Sequence, residues 1–89
     1  MPEYEVQFAR SARKELEKLD DAVAIRILDK IESLGKNPYP RESVKIRTTE
    51  DLRRIRVGMY RILYTVNDER YLVDIAAIRH RRDAYQQLP

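Results

Sequence analysis

Eighty-nine residues, 43% of them hydrophobic and 37% charged, fit one small domain, residues 1–89, with a thin core and modest stability. The absence of cysteine and a single histidine, His80, exclude disulfides, thiolate metal sites and a zinc cluster, so no metal and no cofactor are expected; with no run near the ~18 apolar residues of a membrane span and no apolar leader, the expected location is the cytoplasm, without a membrane partner. The net charge of +3 is uneven: residues 1–40 carry 7 basic and 8 acidic side chains, residues 41–89 carry 11 and 7, and all but one of those later cations are Arg, whose planar fork suits phosphate, so a nucleic acid is the expected partner.

The chain opens with "YEVQF" (Tyr4 to Phe8), whose alternation places Tyr4, Val6 and Phe8 on one face of a strand. From Ala9 to Leu19 the period changes, and Ala12, Leu16 and Leu19 form a helical stripe among charged residues. Asp20 or Asp21 is placed to cap a second helix in which Val23, Ile27, Ile31 and Leu34 recur at three and four. Gly35 fits its C-cap, and Pro38 and Pro40 forbid continuation. The two helices read as an antiparallel pair. Residues Asn37 to Ser43 form a loop, Val44 to Arg47 a strand and Thr48 to Asp51 a turn.

The next stretch, "RRIRVGMYR" (Arg53 to Arg61), has Gly58 in the first central position of a two-residue hairpin loop, the type II′ pattern. That loop sets Val57 across from Tyr60, Arg56 from Arg61, Ile55 from Ile62 and Arg54 from Leu63. One face then carries Ile55, Val57, Tyr60 and Ile62, and the other Arg54, Arg56 and Arg61. The second strand runs from Tyr60 to Val66, Asn67 to Arg70 turn the chain, and Tyr71 to Ile78 return. A two-residue turn there would put Asp74 on the arginine face, opposite or diagonal to Arg61, as its counter-ion. The tail from Arg79 to Pro89 brings Arg79, His80, Arg81 and Arg82 beside the strand end, with Tyr85 on a short terminal helix or coil. The whole is an α+β domain: a mostly antiparallel sheet of about four strands, a two-helix hairpin on one face, and a short C-terminal helix or tail.

Like charges directly opposed across strands destabilise a hairpin by roughly 0.2–1 kcal/mol. Three arginines gathered on the face away from the core therefore point to an anion site. The second cluster, from Arg79 to Arg82, with the hydroxyl of Tyr85 nearby, suits phosphate contact together with base stacking.

At this point the sequence resembles RelE-type toxins of toxin–antitoxin modules. The resemblance spans an opening strand, a helix pair ending near "GKNPYP", the "RIRVGMYRILYTV" hairpin and the "HRRDAY" ending. It implies an α+β fold and a ribosome-dependent endoribonuclease that cuts mRNA in the ribosomal A site. It also implies a cognate antitoxin that wraps and blocks the toxin. The family's working residues, basic side chains on the sheet plus a C-terminal tyrosine, fall on Arg54, Arg56, Arg61, Arg81 and Tyr85 as catalytic candidates. Arg53, Arg79, His80 and Arg82 are RNA-binding candidates. Related sequences usually have Gly where Arg79 stands and often Asp where Met59 stands. Some carry Lys in place of Arg54 and Arg56, and Lys can lose a proton where Arg effectively cannot.

Cleavage by the RNA's own 2′-OH needs a base at that hydroxyl, charge stabilisation at the phosphorane and an acid at the 5′ leaving oxygen. Arg56 and Arg61 are assigned to the scissile phosphate and Arg81 to the leaving group. Tyr85 takes the 2′-OH proton or orients a base, and His80 is a further candidate base; that assignment stays open. Two alternatives remain: a ParE-like inhibitor of DNA gyrase, and a binding module for nucleic acid or an acidic protein without catalysis. ParE-type proteins lack the nuclease residues, so the "HRRDAY" ending argues for the nuclease reading and against the ParE-like one.

Overall fold

Two apolar stripes at helical spacing, a first strand before them and a run of alternating segments after them dictate the order of elements. The computed structural model describes residues 3–46 and 51–82. It comprises β1 (Glu5–Phe8), α1 (Arg10–Glu17), α2 (Asp21–Lys36), β2 (Val44–Lys45), β3 (Arg53–Val57), β4 (Tyr60–Asn67) and β5 (Leu72–His80). The strands form one sheet in the order β1-β5-β4-β3-β2. β2, β3, β4 and β5 pair antiparallel in sequence, and β1 runs parallel to β5. The fold is α+β as expected, with five strands rather than about four, because β1 joins the sheet at its edge.

The core lies between the helices and one face of the sheet. Ala12 of α1 and Ile27, Ile31 and Leu34 of α2 pack on Ile55, Ile62, Tyr64, Val73, Ile75 and Ile78. The Tyr64 side chain is wholly buried, and its hydroxyl donates to the Pro38 carbonyl at 2.8 Å, which ties the loop after α2 to the middle of the sheet. A buried hydroxyl without such an acceptor would cost about 1–3 kcal/mol.

The edge of β5 is covered in two ways. Its first half pairs with β1, from Glu5↔Leu72 to Phe8↔Ile75. Where β1 ends, α1 takes over: the Ser11 hydroxyl donates to the Ala76 carbonyl at 3.3 Å, and a Glu15 carboxylate oxygen accepts the Ile78 N–H at 2.9 Å. Ser11 and Glu15 are four apart, so both side chains leave the same side of the helix.

Three local expectations are corrected. Gly35 is not the C-cap of α2, which continues through Lys36 and ends at Asn37. Gly35 is instead where β1 passes the helix: its carbonyl accepts the Tyr4 N–H at 2.8 Å, and a Cβ there would lie 3.1 Å from the Tyr4 oxygen. The turn between β4 and β5 is also longer than two residues. Asn67 pairs with Leu72, leaving Asp68 to Tyr71 as the turn. It closes with Tyr71 at φ 53 and with the Asn67 side chain accepting the Arg70 N–H at 3.0 Å. Finally β5 extends to His80, so Arg79 and His80 belong to a strand and not to a tail. Of the remaining expectations, Arg47 and most of the turn from Thr48 to Asp51 lie outside the described residues, as does everything after Arg82, Tyr85 included.

Candidate nucleic-acid interface

The hairpin has the register its sequence dictates: Arg56↔Arg61, Ile55↔Ile62, Arg54↔Leu63 and Val57↔Tyr60. Gly58 sits at φ 57, while Met59 is not among the residues with positive φ. That combination is type II′ rather than I′. Arg54, Arg56 and Arg61 are thereby fixed on the sheet face away from the helices.

What the sequence did not reveal is the third member of that row. Between β4 and β5 the register slips at Leu63/Tyr64: Tyr64 pairs with Ile75, Leu63 with Ala77, and Ala76 bulges. The bulge lets Ile75 and Ile78, three apart, both face the core. The bulge and the long turn together move Arg79 opposite Arg61, while Asp74 lands opposite Thr65. The expected Asp74–Arg61 pairing is thus corrected: Asp74 shares the arginine face but lies four positions along β4 from Arg61. Arg56, Arg61 and Arg79 form instead a row across three strands, spanning about 10 Å at the usual strand spacing.

Each cation is held differently. Arg61 is half-buried on a strand paired on both sides. Arg79 is also half-buried and ion-paired with Glu15 of α1. Arg56 is exposed on β3 beyond the reach of β2, which pairs only with Arg53 and Arg54. Arg54 stands in the next row beside Leu63, and Leu63 and Ala77 with Ile46 and Leu52 make a small second apolar cluster on this face. Arg81 follows β5, and its N–H donates to the Met59 carbonyl at 2.7 Å. Its own carbonyl accepts a long 3.5 Å contact from the Arg61 guanidinium. The Arg81 backbone is therefore brought beside Arg61 at the turn end of the hairpin.

The other candidates lie elsewhere. Arg53 points to the opposite face, where it donates to the Ser43 hydroxyl at 2.8 Å and stacks over the Tyr39 ring at 5.0 Å. His80 is opposite Tyr60 on the core side, its ring 5.2 Å from the Tyr60 ring. Its Nδ1 accepts the Arg82 N–H at 3.3 Å, which leaves the proton of a neutral imidazole on Nε2. Arg82 is exposed.

The far end of the same face has the opposite sign. Asp51, Asp68, Glu69 and Asp74 surround a shallow depression of ≈ 530 Å³ floored by Thr65, Val66 and Leu72. Among the described residues no group of three His, Asp or Glu side chains could hold a metal ion, and no helix is long and apolar enough to cross a membrane. The arginine end can neutralise phosphate oxygens, and among the described residues its row holds no pair of carboxylates for acid–base work.

Comparison with known proteins agrees with this geometry. Residues 6–85 match the family described as ParE toxin of type II toxin-antitoxin system, parDE. The chain belongs to this toxin family, in its RelE-type branch. A putative RelE-like toxin protein of Escherichia coli is 34% identical over 86 residues, covering 92% of this chain and 90% of its own. The RelE–RelB complex of Pyrococcus horikoshii contains a chain 32% identical to this toxin, with a TM-score of 0.79 over 94% of this chain and 100% of that one. The RelBE2 toxin–antitoxin complex of Mycobacterium tuberculosis gives 30% identity and a TM-score of 0.78 over 88% and 98%.

Proposed function

We propose that this toxin is a ribosome-dependent endoribonuclease that cleaves mRNA in the A site. The observation that carries the reading is the row of Arg56, Arg61 and Arg79, with Arg81 tied beside Arg61. In the reaction the 2′-oxygen attacks the adjacent phosphorus and loses its proton to a base. The P–O5′ bond breaks, and the leaving oxygen takes a proton from solvent, giving a 2′,3′-cyclic phosphate and a free 5′-hydroxyl. Arg56 and Arg61 would bear on the non-bridging oxygens as charge accumulates there. Arg81 would face the leaving oxygen. Removing one such donor typically costs about 10²–10³ in rate. Tyr85 is proposed as the base or as a stacking platform. The ribosome would hold the RNA in cleavable geometry, so that a weak base suffices.

A cognate antitoxin is proposed as the natural inhibitor, since the P. horikoshii and M. tuberculosis relatives are toxin–antitoxin complexes. The proposed setting is the cytoplasm. The ParE description of the matching family favours a second reading, inhibition of DNA gyrase. Purified toxin incubated with programmed ribosomes, followed by mapping of mRNA ends, separates the two. Cuts at A-site codons support the nuclease; intact mRNA with gyrase blocked in a parallel supercoiling assay replaces it with the second reading.

A further inference from the structure

The arginine row does not stop at the sheet. β2 pairs with β3 only as far as Arg54, and beyond that point no strand among the described residues pairs with the outer edge of β3. Arg56, at the end of the row, also lines a notch of ≈ 440 Å³ on the helix side with Arg26, Asp29, Lys30, Ser33, Val57 and Gly58. Arg26 and Lys30 are four apart on α2 and present their cations on one side of the helix. The Arg26 guanidinium lies 3.3 Å from the point a Cβ of residue 58 would occupy. The glycine demanded by the type II′ turn is therefore also what lets this guanidinium lie against the hairpin.

The chemistry of the notch selects its ligand. No aromatic ring lines it and only Val57 is apolar, so it has no platform for a base. Lys30 is bridged by Glu42 at 3.1 Å, and Asp29 is the single acid in the wall. Arg26 and Arg56 appear in no ion pair among the described residues. Charge also fixes the direction of approach. The acidic residues at the far end of the sheet face repel a polyanion along the strands, whereas the row leads across them and over the edge of β3.

We propose that Arg26 and Lys30 form a second phosphate subsite beneath the hairpin turn, bordered by Arg56 at the end of the row, which grips an RNA backbone phosphate one step beyond the one the arginine row meets. The proposal rests on the RNA-cleaving reading above. It adds a sequence-independent contact on the helix side of the sheet. The phosphate belongs either to the mRNA strand or to ribosomal RNA.

The test uses the full chain, a 2′-O-methyl oligoribonucleotide that cannot be cleaved, and programmed ribosomes, with affinities measured across a salt series. Arg26→Gln should weaken binding roughly threefold and make the log–log salt slope shallower by about 0.7, the value for one single-strand phosphate contact. Asp29→Lys, which adds a cation to the same wall, should strengthen binding and steepen the slope. Effects seen with the oligonucleotide assign the phosphate to the mRNA strand. Effects confined to ribosomes assign it to ribosomal RNA. Wild-type affinity and slope for both variants in both arms would overturn the subsite while leaving the nuclease reading intact. If wild-type toxin binds neither RNA, the RNA reading falls and the subsite with it. Should Arg26→Gln fail to fold, Asp29→Lys still decides, because its expected effect is a gain.

Discussion

Replacing Arg56 by Thr separates the cost of the arginine row from its use. Arg56 is exposed and stands directly opposite Arg61, outside the buried core. Arg61 is in turn opposed by Arg79, so Arg56 adds a third like charge to one row. Opposed like charges cost roughly 0.2–1 kcal/mol, and at an exposed edge a figure near the middle, about 0.5 kcal/mol, is reasonable. Thr also suits a strand better than most polar residues. Arg56→Thr should therefore melt at the wild-type temperature or about 2–4 °C higher, given roughly 4–8 °C per kcal/mol for a domain of this size. The gain should shrink as salt is added, because exposed charges about 5 Å apart are screened when the Debye length falls toward about 3 Å. Cleavage on programmed ribosomes should fall about a hundredfold or more over the same substitution. The checks are thermal unfolding by circular dichroism at low and high salt, and mRNA end mapping. A melting temperature more than about 4 °C below wild type would mean that Arg56 holds the hairpin together. The inference from mispaired charge to function would then lose its ground.

The charge network elsewhere gives three further expectations. Asp68 accepts hydroxyl hydrogen bonds from Tyr4 at 2.6 Å and Tyr39 at 2.7 Å, and these bonds hold its carboxyl below the usual range. A depressed folded pKa means stability that is present above the unfolded value of about 3.9 and lost as pH falls through the folded one. Asp68→Asn should thus lower the melting temperature at neutral pH, with the gap to wild type closing as pH drops below about 4; a gap independent of pH would contradict the assignment. On the alkaline side, partial desolvation of its hydroxyl and then the Asp68 bond push Tyr39 up to about 12, so its share of stability is present below about pH 10 and is lost as pH rises through the folded value. Glu15→Ala strands both the Ile78 N–H and Arg79 and should cost about 1–3 kcal/mol, whereas Glu15→Gln keeps an acceptor and should cost less. Equal chemical denaturation midpoints for Glu15→Ala and wild type would show that the edge of β5 does not depend on this carboxylate.

The parts of the structure that local chemistry decides were legible in the sequence. Gly58 fixes a type II′ turn, the turn fixes the register of β3 on β4, and the register puts Arg54, Arg56 and Arg61 on one face. The helix pair followed from the spacing of Ala12, Ile27, Ile31 and Leu34 in the same way. What was not legible depended on long-range partners. "NDERY" contains two-residue turn candidates, yet the chain uses four residues because Tyr71 accepts a left-handed backbone, its carbonyl takes the Glu5 N–H at 2.8 Å, and its ring meets Tyr4 edge-on. "IAAI" resembles an ordinary strand, and only the need to bury both Ile75 and Ile78 shows that it must bulge. Those two departures moved Asp74 away from Arg61 and put Arg79 in its place. The role of Gly35 was missed for the same reason, since β1 returns to it from a distant point in the sequence.

The distribution of support across the row bears on how such a site could be both fixed and controlled. Arg61 stands on β4, the third strand of five, paired along both edges and backed by Ile62 and Tyr64 in the core. Its position is set by the same burial that makes the domain stable, so no partner could move it without unfolding the sheet. Arg79 is fixed by strand pairing and by Glu15. Arg56 lies on β3 beyond its pairing with β2, and among the described residues Arg81 is held to the hairpin by its backbone bond to Met59 and the long contact from Arg61. An inhibitor therefore has two physically different routes. Covering Arg61 and Arg79 requires acidic side chains placed against a preformed, half-buried row, where desolvation strengthens each ion pair but must be matched by geometry. Shifting Arg81 requires the exchange of that backbone bond and the long Arg61 contact, each on the order of 1 kcal/mol. If Arg81 is the group that meets the leaving oxygen, the second route abolishes cleavage at the lower cost while leaving the sheet and its arginine row intact.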